Sequence, residues 1–372
     1  MGFHCALGCH LLQVMQVFPS PDGLSPAKTN SRNGDRPAVS RRPKALFIVD
    51  GPSLDLIYPL QEQQELQELA DFYAPPQTRD SIIANRELLR DAEVIFSGWG
   101  APVMDEAFLK AAPNLKAVFY GAGTIGYCTS EAFWDRDILI TSAYAGNAVP
   151  VAEYTLGVIM LSLKNFWRFV SDSRSGGGVG NHTRYVPGCF RTTVALIGCG
   201  MIGRRLLALL EPFDLRSIVY DPFLTEAEAD QLGAKLCTLD EAFQQGDVVS
   251  LHAASKRETR GLITGRHFSL MKQGATFINT ARGQIVREKE MIEALGVRTD
   301  LTAVIDVVDT EPIPVDSPLL TLPNVLYTPH IAGSLGPECG RLGQYMVQEF
   351  KRYLAGEPLQ WQITREMVAR LA

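Results

Sequence analysis

Between Arg191 and Asp221 the sequence reads R-T-T-V-A-L-I-G-C-G-M-I-G-R-R-L-L-A-L-L-E-P-F-D-L-R-S-I-V-Y-D, and its three glycines have the spacing of an anion-binding turn. Gly198 permits a tight turn, Gly200 lets backbone approach a pyrophosphate, and Gly203 lets the following helix lie close against the preceding strand. The helix N-terminus, headed by Met201 and Ile202, then points its unpaired N–H groups at the anion. Asp221, about 18 residues past the last glycine, stands where a carboxylate accepts hydrogen bonds from ribose hydroxyls. Its charge would repel a 2′-phosphate, so this chemistry favours NAD over NADP.

Those residues need particular elements to hold them. Val194 to Ile197 reads as a short, wholly apolar buried strand, the helix after it is apolar at Ile202, Leu206, Leu207 and Leu210, and Pro212 stops it. A second strand, Ser217 to Tyr220, delivers Asp221. Strands follow near Val248 to Leu251, Thr276 to Asn279 and Thr302 to Val308, with a helix between Thr238 and Gln245 opened by the capping box Thr238 and Glu241. Three stretches fall at the C-terminal ends of these strands, where an open α/β sheet binds its ligands. They are Asn279-Thr280-Ala281-Arg282-Gly283, Asp306-Val307-Val308-Asp309-Thr310-Glu311-Pro312 and Thr328-Pro329-His330-Ile331-Ala332-Gly333-Ser334.

With these motifs in this order, from about Lys44 to Gly356, the chain resembles the D-isomer-specific 2-hydroxyacid dehydrogenases. The resemblance implies that Arg282 holds a substrate carboxylate and polarises its carbonyl, that His330 is the acid/base, and that Glu311 is the carboxylate paired with it. It places Asp306 by the nicotinamide carboxamide, with Thr280, Ala281, Gly333 and Ser334 along the cofactor. It implies that the stretch beginning Pro150-Val151-Ala152-Glu153 opens a helix joining two domains, that the last helix returns to the first domain, and that the protein is a homodimer. The chemistry of the residue types agrees. Reducing a 2-oxo acid requires a hydride donor, a cation suited to a bidentate grip on a carboxylate, and a proton donor working near neutral pH. A carboxylate beside the histidine orients the ring and favours its charged form.

Upstream, Ala45 to Val49, Val94 to Phe96, Ala117 to Tyr120 and Ile138 to Thr141 read as strands. Leu60 to Ala70, Ser81 to Arg90 and Met104 to Ala112 read as helices between them. Such alternation calls for a second parallel sheet covered by helices on both faces. The expected fold is therefore α/β with two open parallel sheets. Residues 148–329 would form a Rossmann-type NAD domain, and residues 44–147 with 330–372 a discontinuous, flavodoxin-like substrate domain. Val151 to Phe169 reads as one long helix, Ser171 to Gly188 as a loop or arm, Pro337 to Leu354 as the last helix, and the remainder as a tail.

Two first-domain loops face the cleft on this reading. Backbone N–H groups of Gly98-Trp99-Gly100 are expected to meet the substrate carboxylate, with Trp99 as a wall. Gly123 opens the loop Gly123-Thr124-Ile125-Gly126-Tyr127-Cys128, where many relatives carry an acidic or amide residue. Neither loop contains Lys or Arg, which disfavours a phosphorylated substrate.

Composition narrows the classes. A chain of 372 residues with 46% hydrophobic and 20% charged content buries a sizeable core, and a net charge of −6 argues against nucleic acid or an anionic membrane as partner. The apolar run from Val151 to Leu163 carries Glu153 and is short for a bilayer. Seven cysteines without a C-x-x-C pair suggest reduced thiols and a cytoplasmic protein. Residues 1–43, rich in Pro, Ser, Asn and Arg beyond Phe18, are expected to be disordered. His4-Cys5 and Cys9-His10 are not counted as a metal site, and no metal is expected. Two other functions stay open at this stage: an NAD(H)-sensing corepressor-like binding protein of the same family, and a formate- or phosphite-type dehydrogenase. Glu311 counts against the formate branch, which pairs its histidine with Gln.

Overall fold

The computed structural model describes residues 41–176 and 186–368. The expectations of a disordered extension and of an arm fall largely on positions outside them. Thirteen strands are present among the described residues, in two sheets. The first contains β1 (Lys44–Ile48), β2 (Asp71–Phe72), β3 (Val94–Ser97), β4 (Ala117–Tyr120) and β5 (Leu139–Ser142). The second contains β6 (Thr193–Ile197), β7 (Arg216–Tyr220), β8 (Ala234–Leu236), β9 (Val248–Leu251), β10 (Thr276–Asn279), β11 (Thr302–Ile305) and β12 (Val325–Tyr327). The last strand, β13 (Gln362–Ile363), returns to the first sheet.

Strand order is β13-β5-β4-β3-β1-β2 in one sheet and β12-β11-β10-β9-β6-β7-β8 in the other. In both, the order reverses beside the first strand, β1 or β6. That reversal leaves a crevice at the C-terminal strand ends. The central strands are buried on both faces, which is why they read as unbroken apolar runs rather than alternating ones. One face of the first sheet packs Phe96 and Phe119 against Phe350 of the helix Cys339–Ala355; the opposite face packs Ile95, Val118 and Ile140 against Phe108 and Phe133. In the second sheet, Val194, Leu196 and Val219 face the helix Met201–Leu210, and Ala195, Val249 and Phe277 face Phe243 and Phe268.

The first sheet is not wholly parallel, because β13 pairs antiparallel with β5, Ile363 opposite Ile140. A tail was expected there, since two residues carry no readable period. The connecting helix also differs. It runs Tyr144–Leu163, with Pro150 inside it rather than at its start, and ends before Asn165, whose φ of 50° suits the left-handed tolerance of Asn. A separate helix, Phe166–Arg174, follows. At 20 residues the connecting helix has the length of a membrane span, yet twelve of those residues are buried within the protein, which makes it a core helix. The stretch expected as one helix from Ser81 to Arg90 breaks at Asn85 into Arg79–Ala84 and a 3₁₀ segment, Arg86–Asp91. The capping box of Thr238 and Glu241 forms as the spacing predicts.

Candidate active site

The glycine turn after β6 has a different constraint at each glycine. Gly198 has φ +97°, and a Cβ there would lie 2.5 Å from the nitrogen of Ala253. A Cβ on Gly203 would lie 2.5 Å from the carbonyl oxygen of Gly198, so only glycine lets the helix Met201–Leu210 sit this close to the turn. At Gly200, the N-cap of that helix, nothing lies within 4 Å of the position a Cβ would take. Space beside a helix N-terminus is what a pyrophosphate requires. The Asp221 carboxylate accepts from the backbone N–H of Cys199 at 2.7 Å and of Phe223 at 2.9 Å, which fixes it against the turn. Each oxygen keeps a lone pair for a ribose hydroxyl.

A cavity of about 740 Å³ opens from this turn and runs between the two sheets. Its lining includes Gly198, Gly200, Met201, Ile202, Asp221, Thr280, Ala281, Arg282, Asp306, His330, Gly333 and, from the first sheet, Gly123. Three loops thus bring the motif residues together. Asn279 shapes the first by accepting from the N–H of Ala281 at 3.0 Å and donating to the carbonyl of Arg282 at 3.3 Å. Arg282 is exposed, its guanidinium donating to the carbonyl of Ala281 at 2.7 Å, with the remaining N–H groups free to grip an anion. Gly283 passes directly over the second loop: a Cβ would stand 1.9 Å from the carbonyl carbon of Val308. The Arg282 loop and the Glu311 loop are therefore packed as one body.

Nδ1 of His330 lies 2.8 Å from Oε2 of Glu311, and the other oxygen of Glu311 accepts from the N–H of Val308 at 3.3 Å. Glu311 thus stands behind His330 rather than in the cavity wall. His330 has φ 56°, an uncommon backbone for a residue with a Cβ, and its loop is held in that shape by Asp306. Only 1% exposed, Asp306 accepts from Thr328 Oγ1 at 2.6 Å and from the N–H groups of Ile331 at 2.8 Å and Ala332 at 3.0 Å. Its carboxylate thus serves the histidine loop, beyond the nicotinamide contact that the motif led one to expect. Ser334 is buried at 3% exposure and does not line the cavity; its N–H donates to Asn147 at 2.9 Å, tying the loop to the connecting helix.

Gly98, Trp99 and Gly100 do not reach the cavity. A Cβ on Gly98 would meet Ile57 at 2.5 Å, and at Gly100, φ +81°, the space is filled by the carboxyl group of Asp50 at 1.9 Å. Trp99 packs into the core on both faces of the first sheet. These glycines make room for their own chain rather than for a substrate.

Several contributors carried no motif. Because Thr328 spends its proton on Asp306, Tyr154 of the connecting helix must donate to it, at 3.0 Å. His252 lines the cavity below the turn, where burial pushes its imidazole down to about 4 and keeps it neutral at ordinary pH. Asn147, Tyr144, Ile363 and Val368 complete the wall on the side of the first sheet. A long helix with Asn147 and Tyr154 seven apart could have flagged two of them.

An open doubly wound sheet with a glycine turn, a ribose-placed carboxylate and catalytic residue types at the same strand edge defines a dinucleotide-binding α/β protein. The family model for the NAD-binding domain of the D-isomer specific 2-hydroxyacid dehydrogenases matches residues 156–332 of the chain. It is 28% identical over 313 residues to the D-3-phosphoglycerate dehydrogenase of Methanocaldococcus jannaschii, covering 84% of this chain and 58% of that one. It is also 28% identical over 288 residues to the glyoxylate reductase of Korarchaeum cryptofilum, covering 76% and 85%. The chain spans about half the length of the phosphoglycerate dehydrogenases it matches. Among solved structures, a phosphoglycerate oxidoreductase from Rhizobium etli has the same fold, with a TM-score of 0.74 and 22% identity over 88% of this chain and 100% of that one.

Proposed function

We propose that this protein is an NAD-dependent oxidoreductase that interconverts a 2-oxo acid and a D-2-hydroxy acid. The observation that carries the proposal is the 2.8 Å contact between His330 and Glu311 at the rim of the cavity that Arg282 and the glycine turn also line. The open space at Gly200 and the carboxylate of Asp221 fit a bound dinucleotide, which supplies the hydride. Arg282 holds the substrate carboxylate through two N–H donors and draws charge from the carbonyl. With Nδ1–H donated to Glu311, the other ring nitrogen of His330 faces the substrate and delivers the proton to the carbonyl oxygen during reduction; in the reverse direction it takes the proton back. Glu311 orients the ring through its 2.8 Å contact with Nδ1.

An unphosphorylated substrate is the better match, because Arg204 and Lys256 lie at the end of the cavity near Asp221 and Phe223, and Arg282 is engaged by the carboxylate. We read the protein as a cytoplasmic homodimer. Phe166–Arg174 buries none of its residues in this chain, and a groove lined by Phe166, Phe169 and Val170 suits a second copy.

The test is single-substrate kinetics of the full chain with NADH and a panel of 2-oxo acids. Arg282→Ala is expected to lower kcat/KM by roughly a hundredfold or more while NADH affinity, read by fluorescence titration, stays within about threefold. Loss of NADH binding in that variant would make Arg282 a cofactor residue. No turnover in the parent protein would leave a binding function.

A further inference from the structure

One wall of the cavity belongs to no motif. Past Gly356, whose φ of 70° ends the helix Cys339–Ala355, the chain folds back, forms β13, and finishes its described part in the short helix Arg365–Val368. Ile363 and Val368 from this return line the same cavity as Gly123, Ile125 and Tyr144. They also share a hydrophobic cluster with Ile125, Cys128 and Phe133, so the wall is continuous with the core of the first sheet.

This wall is rigidly built. The buried carboxyl of Glu349 accepts from the backbone N–H groups of Gln360 at 3.1 Å and Trp361 at 2.9 Å. Trp361 stacks on Tyr345 at 5.7 Å and meets the edge of Tyr144 at 5.9 Å. The carbonyl of Trp361 accepts from the N–H of Ser142 at 3.1 Å, and Arg365 pairs with Glu131 and with Asp135. At Gly123, facing these side chains, nothing lies within 4 Å of a would-be Cβ, which leaves room for a guest.

We infer that Ile363 and Val368, with Ile125 and Tyr144, form the pocket for the side chain of the 2-oxo acid, and that they select an apolar branched or aromatic side chain over a polar or phosphorylated one. The inference rests on the oxidoreductase reading above. With Arg282 on the carboxylate, the wall on the side of the first sheet, Ile125, Tyr144, Ile363 and Val368 beside Thr124 and Ser142, offers no cation, and a phosphate there would lose its hydration without a charged partner. An apolar side chain gains from the same burial, and a methylene in such a pocket changes discrimination by roughly tenfold or more.

The experiment measures kcat/KM with NADH for glyoxylate, 4-methyl-2-oxopentanoate, phenylpyruvate and 3-phosphohydroxypyruvate, using the full chain and two variants. In the parent, 4-methyl-2-oxopentanoate should exceed glyoxylate by at least about tenfold and 3-phosphohydroxypyruvate by more. Ile363→Ala should raise the ratio of phenylpyruvate to 4-methyl-2-oxopentanoate by about tenfold through added room. Val368→Lys should raise the ratio of 3-phosphohydroxypyruvate to 4-methyl-2-oxopentanoate by a similar factor. Ratios within one protein are insensitive to the fraction folded. A parent that prefers 3-phosphohydroxypyruvate, or variants whose ratios move by less than twofold, would overturn the pocket while leaving the oxidoreductase reading intact. Failure to reduce any of the four acids, with NADH still bound, would remove both.

Discussion

Of the Gly-x-Gly turns that follow parallel strands in this protein, Gly98-Trp99-Gly100 after β3 and Gly198-Cys199-Gly200 after β6 do opposite things. In the first, the space opposite the glycines is occupied by the side chains of Ile57 and Asp50. In the second, Gly198 is pressed against Ala253, but Gly200 faces open cavity at a helix N-terminus. Glycine spacing alone therefore reports only that something comes close. Whether that something is protein or ligand depends on the element that follows: the helix Met201–Leu210 begins at once after Gly200, whereas the chain after Gly100 turns away, with the next helix beginning at Glu106.

The comparison predicts that glycines filled by protein fail through stability, and those facing the cavity through binding. The largest effect should come from Gly283→Ala, whose Cβ has no way past the Val308 backbone. A loss of about 3 kcal/mol or more is expected, seen as a large fall in Tm or a failure to accumulate folded protein. A Tm near that of the parent would show that the two loops are free to separate. Next is the pair itself. Gly100→Ala should lower stability by about 1–3 kcal/mol, through its positive φ and the Asp50 overlap, and leave NADH affinity unchanged. Gly200→Ala should barely move Tm but weaken NADH by about tenfold, on the order of 1.4 kcal/mol. If both variants changed in the same quantity, the contrast between the turns would be lost.

Asp221→Ala sharpens the picture on the ligand side. The preference for NADH over NADPH should narrow by roughly tenfold, because a carboxylate that accepts ribose hydroxyls and repels phosphate is gone. Equal weakening of both cofactors would instead reduce Asp221 to its hydrogen bond with Cys199. The smallest effect concerns Glu349, which burial, opposed in part by its two N–H donors, holds above the usual carboxyl range. A raised carboxyl value makes a contribution to stability that is complete below the ordinary value and is lost as pH rises through the elevated one. In Glu349→Gln the fall of Tm over that window should flatten. A parallel pair of Tm curves would assign the pH dependence elsewhere.

Much of this was legible in the chain because the relevant forces are local. Buried parallel strands are built around short apolar runs, so Ala117–Tyr120, Val248–Leu251 and Thr276–Asn279 are readable to the residue. Arg282, Glu311 and His330 stand out by type at strand ends, and the structure brings them to one loop cluster. Other features depend on contacts distant in sequence. Nothing near Gly98 announces Ile57, and β13 exists only because Glu349 and β5 receive it. The connecting helix begins six residues before Pro150, where tight packing of Gly146 against Leu342 accompanies a proline within the helix, a position the local rule discourages.

The crossing of the chain from one sheet to the other and back also bears on its biosynthesis. The second sheet is contiguous, residues 193–327, and all its strands are available once that stretch has left the ribosome. The first sheet, though its strands emerge earliest, keeps Phe96 and Phe119 uncovered until Phe350 arrives, and β5 without its neighbour until Ile363 does. Nascent chains are therefore most exposed to aggregation and to chaperone capture through their oldest part, for the time needed to translate more than 200 residues, on the order of 10–40 s at ordinary elongation rates.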